Sequence, residues 1–139
     1  MRRMKMWPKK FLTPAPKWVV AIGRKWEKRL GLETWRISYY VRIRPTVGGA
    51  AEIRWVPSYN EAVIALDPAW LESDIVTEAD VEMTLVHEQS HLLFAKMDDD
   101  LTDLFGFESG VFSTYASKRE GLCDVLAQLF IARYKRSKS

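Results

Sequence analysis

Val86-His87-Glu88-Gln89-Ser90-His91-Leu92 sets two histidines four residues apart, with a glutamate beside the first. Wound as an α-helix, residues four apart lie on one face, one above the other. Two imidazoles so placed can bind a single Zn²⁺. Glu88 falls about 100° around the axis from His87, at 3.6 residues per turn, so it flanks such a metal instead of ligating it. From there a carboxylate can act as general base on metal-activated water. The pattern is H-E-x-x-H. At ordinary residue frequencies a chain of this length matches it by chance on the order of a few times per thousand sequences. Histidine is scarce here: the chain has only two, and both stand in the motif.

The flanks agree. Val81-Glu82-Met83-Thr84-Leu85-Val86 before and Leu92-Leu93-Phe94-Ala95 after are apolar on more than one face. A helix apolar nearly all round is a buried one. Two histidines and a glutamate inside it are costly unless something pairs with them, and a metal would do so. The plainer alternative is a helix whose histidines only satisfy core hydrogen bonds.

A catalytic zinc takes three protein ligands and keeps a fourth position for water. The third cannot be histidine, because none is left. The downstream carboxylates are Asp98, Asp99, Asp100, Asp103, Glu108, Glu120 and Asp124. Glu120 and Asp124 are again four apart, so Glu120 can ligate while Asp124 accepts an N–H from either histidine and fixes its tautomer. The competing reading of Ser117-Lys118-Arg119-Glu120 is a capping box, with Glu120 reaching back to the backbone.

His87-Glu88-x-x-His91 followed by Glu120-x-x-x-Asp124 resembles the gluzincin branch of zinc metallopeptidases, and Glu120-x-x-Cys123-Asp124-x-Leu126-Ala127 is similar to the ImmA/IrrE family and the single-domain minigluzincins. The ImmA/IrrE pattern usually has a small residue at the place of Cys123 and asparagine at that of Asp124. The likeness spans about residues 35–132, and only its two helical motifs are specific. It implies a small zincin-like peptidase, often encoded by phages or mobile elements, with Zn²⁺ on His87, His91 and Glu120, Asp124 behind a histidine, and Glu88 as base. Tyr115, about a turn before Glu120, is a candidate second stabiliser of the oxyanion, against the plainer reading of a packing tyrosine.

At 139 residues, 47% of them hydrophobic and with six tryptophans, the chain can build one real core and is not a disordered segment. No apolar run approaches the ~20 residues that span a bilayer. The first ten residues carry charge without a secretory apolar core. A single cysteine forms no intrachain disulfide, which points to a reducing, cytoplasmic setting. Cys123 reads as a small buried hydrophobe. The net charge of +3 is concentrated at the two ends. Those ends could touch nucleic acid, but solvated termini are the simpler reading.

Taken in order, residues 1–13 read as a basic N-terminal arm and residues 14–136 as the domain. Thr13-Pro14 reads as a cap and first turn opening a helix over residues 15–30, with Trp18, Ile22, Trp26 and Leu30 toward the core and Gly31 as stop. Alternation predicts strands over residues 35–44, 51–55 and 62–66, joined by short turns and therefore mostly antiparallel. An exposed edge of that sheet could take an extended peptide. Asp67-Pro68 opens a short helical turn. Thr77-Glu78-Ala79-Asp80 starts the central helix, expected to run to residue 97. Residues 98–116 read as a long loop walling a cleft, with Asp98-Asp99-Asp100 a solvated acidic turn and a short helix near residues 101–105. The last helix, residues 118–135, brings Glu120 back, with Leu122, Val125, Leu126, Leu129 and Phe130 inward.

The expected class is α+β: an N-terminal helix, a three-stranded, mostly antiparallel sheet, a central helix bearing the histidines, and a C-terminal helix bearing the third ligand. The expected activity is hydrolysis of a protein or peptide substrate. The alternatives are a non-catalytic zinc or nucleic-acid-binding module, a narrow peptidase acting on a transcriptional repressor, and a zincin that binds peptides without cutting them.

Overall fold

The computed structural model describes residues 6–45, 49–106 and 109–137. The protein is α+β. Four strands, β1 (Leu12–Pro14), β2 (Arg36–Arg42), β3 (Ala51–Val56) and β4 (Glu61–Leu66), form one mixed sheet in the order β1-β2-β4-β3. Among the described residues five α-helices accompany it: α1 (Lys17–Arg29), α2 (Pro68–Leu71), α3 (Glu78–Ser90), α4 (Ala95–Phe105) and α5 (Gly110–Ser137).

Among the described residues the sheet has four strands, not the expected three, and one of its three pairings is parallel. β3 and β4 pair antiparallel through a turn in which Asn60 takes φ 50, but β3 goes to the outer edge, so β4 lies parallel to β2. The extra strand, β1, falls across the expected arm and helix cap. It pairs antiparallel with β2, Pro14 opposite Tyr40. Three residues ending in proline carry no readable alternation, and proline is tolerated at a sheet edge because no ladder there needs its N–H. The basic residues of the arm before Met6 lie outside the described residues. So do 46–48 of the expected turn, 107 and 108 of the expected loop, and 138 and 139 at the other end.

Alternation holds within the strands, although Ile43, read as inward, lies past the end of β2 and is exposed. Ile37 and Tyr39 on β2, Ile53 and Trp55 on β3 and Ala62, Ile64 and Leu66 on β4 are buried. They meet Val19, Ile22 and Trp26 of α1 and Val81, Leu85 and Val86 of α3. Trp18, by contrast, is 44% exposed and is not core. α1 starts two residues late, after Pro16, because Thr13 and Pro14 are in the strand.

α3 begins as expected. The Thr77 hydroxyl accepts from the Asp80 amide, and the Asp80 carboxylate accepts from the Thr77 amide. It packs between β3, α1 and α5, which is why its sequence is apolar on several faces. It ends earlier than expected. Ser90 donates to the Val86 carbonyl at 2.7 Å, a back-bond that tends to bend a helix, and His91–Phe94 tighten to a 3-10 turn before α4. His91 keeps right-handed helical angles, φ −57 and ψ −33, so its one-turn spacing from His87 survives.

The expected long loop is mostly helix. α4 runs to Phe105, Gly106 turns the chain at φ 81, and the Ser109 hydroxyl accepts from the Phe112 amide, capping α5. The glycine and serine were legible only as loop residues, yet they are the stop and start signals of two adjoining helices. Ser117 therefore lies inside α5, and a capping role for Glu120 is excluded. The apolar face of α5 is also rotated from expectation. Cys123, Ala127 and Ile131 are buried, while Leu122, Val125 and Leu129 are about half exposed. The small side chains let α5 approach α3 closely.

Gly23 in α1 packs against the Tyr39 ring so tightly that a Cβ there would overlap it. Gly23→Ala gains about 1 kcal/mol of helix propensity but overpacks the core at a cost of about 1–3 kcal/mol, so we expect a net lower melting temperature. Gly121 in α5 meets nothing at the same distance, and Gly121→Ala is expected to raise it. Thermal melts of the two variants check the pair.

Candidate metal centre

His87 and His91 leave α3 on the side that faces α5. The His87 Nε2 atom lies 3.2 Å from Glu120 Oε2, and the His91 Nε2 atom lies 3.0 Å from Glu120 Oε1. The two rings are 5.2 Å apart, edge to face. Together the three residues offer ligand atoms that all lie within 4.8 Å of one another. Asp124 Oδ1 sits 2.7 Å from His87 Nδ1, so the histidine it faces is His87.

These contacts constrain protonation. With Asp124 accepting the Nδ1 proton of His87, the neutral ring presents a lone pair at Nε2 to a carboxylate oxygen. Two acceptors at that distance attract only if a proton or a metal cation lies between them. The second imidazole is held neutral: burial first, then the Arg119 guanidinium and His87, bring His91 down to about 3. Metal ligation needs neutral imidazoles and an ionised carboxylate, and the set His₂Glu with an open side suits Zn²⁺.

Glu88 is buried beside this group. Burial first, then the carboxylates of Glu120, Glu52 and Asp124, push its pKa up to about 8, while a backbone hydrogen bond from Ile53 of β3 pulls the other way. Trp55, two residues along β3, stacks on His91 with centroids 6.5 Å apart. Burial, then Glu120, pushes the Cys123 thiol up to about 12, so it stays an unreactive apolar filler.

The sequence did not show what holds these groups in place. Gln89, inside the motif and fully buried, donates to the Gly23 carbonyl at 2.9 Å and to the Tyr39 hydroxyl at 2.7 Å. Tyr39 in turn donates to buried Glu27 at 2.6 Å, and Glu27 accepts from Arg24. This chain ties α3 to α1 and β2. The Tyr115 hydroxyl, the candidate oxyanion partner, donates to Asp98 at 2.5 Å. Asp98 is not a solvated turn residue: it is buried on α4 and also pairs with Arg119. Nothing in an Asp-Asp-Asp run marks which carboxylate turns inward.

A cavity of about 550 Å³ opens elsewhere, lined by Trp7, Arg42, Glu52 and Arg54 among others and by neither histidine. Glu52 and Arg54 alternate with Ile53 and Trp55, so they point away from the helices. Glu52 there pairs with both Arg42 and Arg54. Among the described residues no helix is long and apolar enough to cross a membrane. Comparison with protein-family models, curated proteins and solved structures found no match.

The raised Glu88 carboxyl has a pH consequence for the metal-free protein. Its folded pKa, about 8, lies above the ordinary 4.5, so its contribution favours folding fully below pH 4.5 and is lost as pH rises through 8. Glu88→Gln, which cannot ionise, is expected to remove that decline. Urea melts of both proteins across this window, with chelator present, check it; parallel curves would place the titration elsewhere.

Proposed function

We propose that this protein is a zinc-dependent metallopeptidase, in which His87, His91 and Glu120 hold Zn²⁺ and Glu88 is the general base. One observation carries the reading: the Nε2 atoms of both motif histidines face the two oxygens of a single carboxylate from another helix. The resemblance of His87-Glu88-x-x-His91 and Glu120-x-x-x-Asp124 to gluzincins agrees with it.

A zinc ion bound there supplies the Lewis acidity that polarises a carbonyl and lowers the pKa of water toward about 7. The protein's own groups do the rest. Asp124 holds the His87 ring by its Nδ1 proton, leaving Nε2 as the ligand atom. Burial of His91 keeps that ring neutral. Burial first and then the neighbouring carboxylates push Glu88 up; beside a cation held by the three ligands its ionised form would be favoured, and Glu88 would come toward the range of a general base. It takes a proton from the attacking water and passes it to the leaving amine. β3, the outermost strand of the described sheet, runs past Glu88, and an extended peptide pairing along it would lay a scissile bond alongside the site. With Tyr115 committed to Asp98, its role in binding the oxyanion would require that bond to open. The substrate is therefore a protein or peptide, and a cytoplasmic setting fits the lone buried thiol.

Glu88→Gln is expected to keep one zinc per chain and to lose about 10²–10⁴-fold in peptide hydrolysis, whereas His91→Ala loses metal and activity together. Metal analysis beside cleavage of unfolded casein and of a peptide library reads both. Cleavage by Glu88→Gln at the parent rate removes the base assignment, and a parent protein that takes up no zinc removes the whole reading.

A further inference from the structure

Glu120 stands at a boundary within α5. From Cys123 onward the helix is anchored by burial, with Cys123, Ala127 and Ile131 against α3. Before Cys123 no described residue of α5 is fully buried. What ties down that first half is polar. Tyr115 and Arg119, one turn apart on the same face, both reach Asp98, whose Oδ1 accepts from the Tyr115 hydroxyl and whose Oδ2 pairs with Arg119. Asp98 is itself buried and lies on α4, the helix that continues from the His91 turn. Arg119 immediately precedes Glu120. The two arms of the centre, one through His91 and one through Glu120, are thus bridged by one carboxylate a short way behind the ligands.

We infer that Asp98 and Arg119 are positioning residues for the metal: their ion pair, with Tyr115 as second donor, sets the rotation and height of α5 at which the Glu120 carboxylate meets both imidazoles. This rests on the metal reading above. Glu120 is more than half exposed, and among the described residues its carboxylate contacts His87 and His91. Without the clamp its helix is free to roll on the apolar contacts below it, and the third ligand drifts while His87, on α3, and His91, in the turn directly after it, stay put. Behind-the-ligand partners of this kind typically account for 10–100-fold in metal affinity.

The test is a double-mutant cycle in the full chain, with Zn²⁺ affinity read by competition against a chromophoric chelator and coordination read from the visible bands of the Co²⁺-loaded protein. Asp98→Asn is expected to weaken Zn²⁺ by about 10–100-fold and to shift the Co²⁺ bands toward those of Glu120→Ala. In the Glu120→Ala background the same substitution is expected to cost less than about twofold, because there is no third ligand left to position. Equal losses in both backgrounds, or a folded Asp98→Asn protein that binds as the parent does, overturn the inference. If Asp98→Asn fails to fold, Arg119→Lys, which keeps the charge and loses the planar fork, carries the same cycle with the same criteria. A parent protein that binds no Zn²⁺ overturns the metal reading and this inference with it, and is distinguishable from a parent that binds while the clamp variants bind equally.

Discussion

A carboxylate held between two imidazole nitrogens is the arrangement on which the rest of this molecule turns. Glu120 faces His87 and His91 at about one hydrogen-bond length each, and Asp124 has already taken the other nitrogen of His87. With the His87 proton on Nδ1, its Nε2 and the facing Glu120 oxygen attract only through a proton or a cation between them. Two helices must be fixed against each other for this arrangement to exist at all, α3 by the core and α5 by its small residues. Burial first, and then carboxylates that include Glu120 and Asp124 of this cluster, raise Glu88.

The supports of the centre are polar where one would expect apolar packing. Gln89, Tyr39 and Glu27 form a buried hydrogen-bonded chain, and burial first, then the bond to Glu27, keep the Tyr39 phenol protonated well above its ordinary range. Buried Asp98 and part-buried Arg119 form a second such pair. Removing one partner from such a pair typically costs about 3–5 kcal/mol, because a desolvated charge is left behind. That is a large share of the 5–15 kcal/mol by which a domain is folded. Apolar contacts would hold the helices together as firmly. Directional bonds also resist sliding and rolling, and a site with three ligands on two helices is sensitive to both.

The motif was legible because its chemistry is local. Two histidines at a one-turn spacing and a glutamate between them specify their own geometry once the segment is helical, and Thr77 with Asp80 marks where the helix starts. Glu120 and Asp124 were legible for the same reason, as a pair on one helical face. Alternation located β2, β3 and β4. It could not order them, since strand order depends on which edges meet across the sheet, and it could not see β1, too short for a period to show. The large apolar residues of the last helix misled for a related reason. Leu122, Val125 and Leu129 look like core, but the approach of α5 to α3 favours Cys123 and Ala127, and only the packed partner reveals that preference.

By itself, then, the sequence determined the catalytic-type motif, the identity of its third carboxylate as a candidate, the α+β class and most element positions, all of which follow from spacings within one helix or strand. Only the tertiary structure decided that the sheet is mixed with β3 at its edge, that Asp124 faces His87 and not His91, that Asp98 is buried and claims Tyr115, and that Glu88 lies against β3. Each of these depends on groups far apart in the chain, and no local periodicity carries information about which distant side chain arrives opposite.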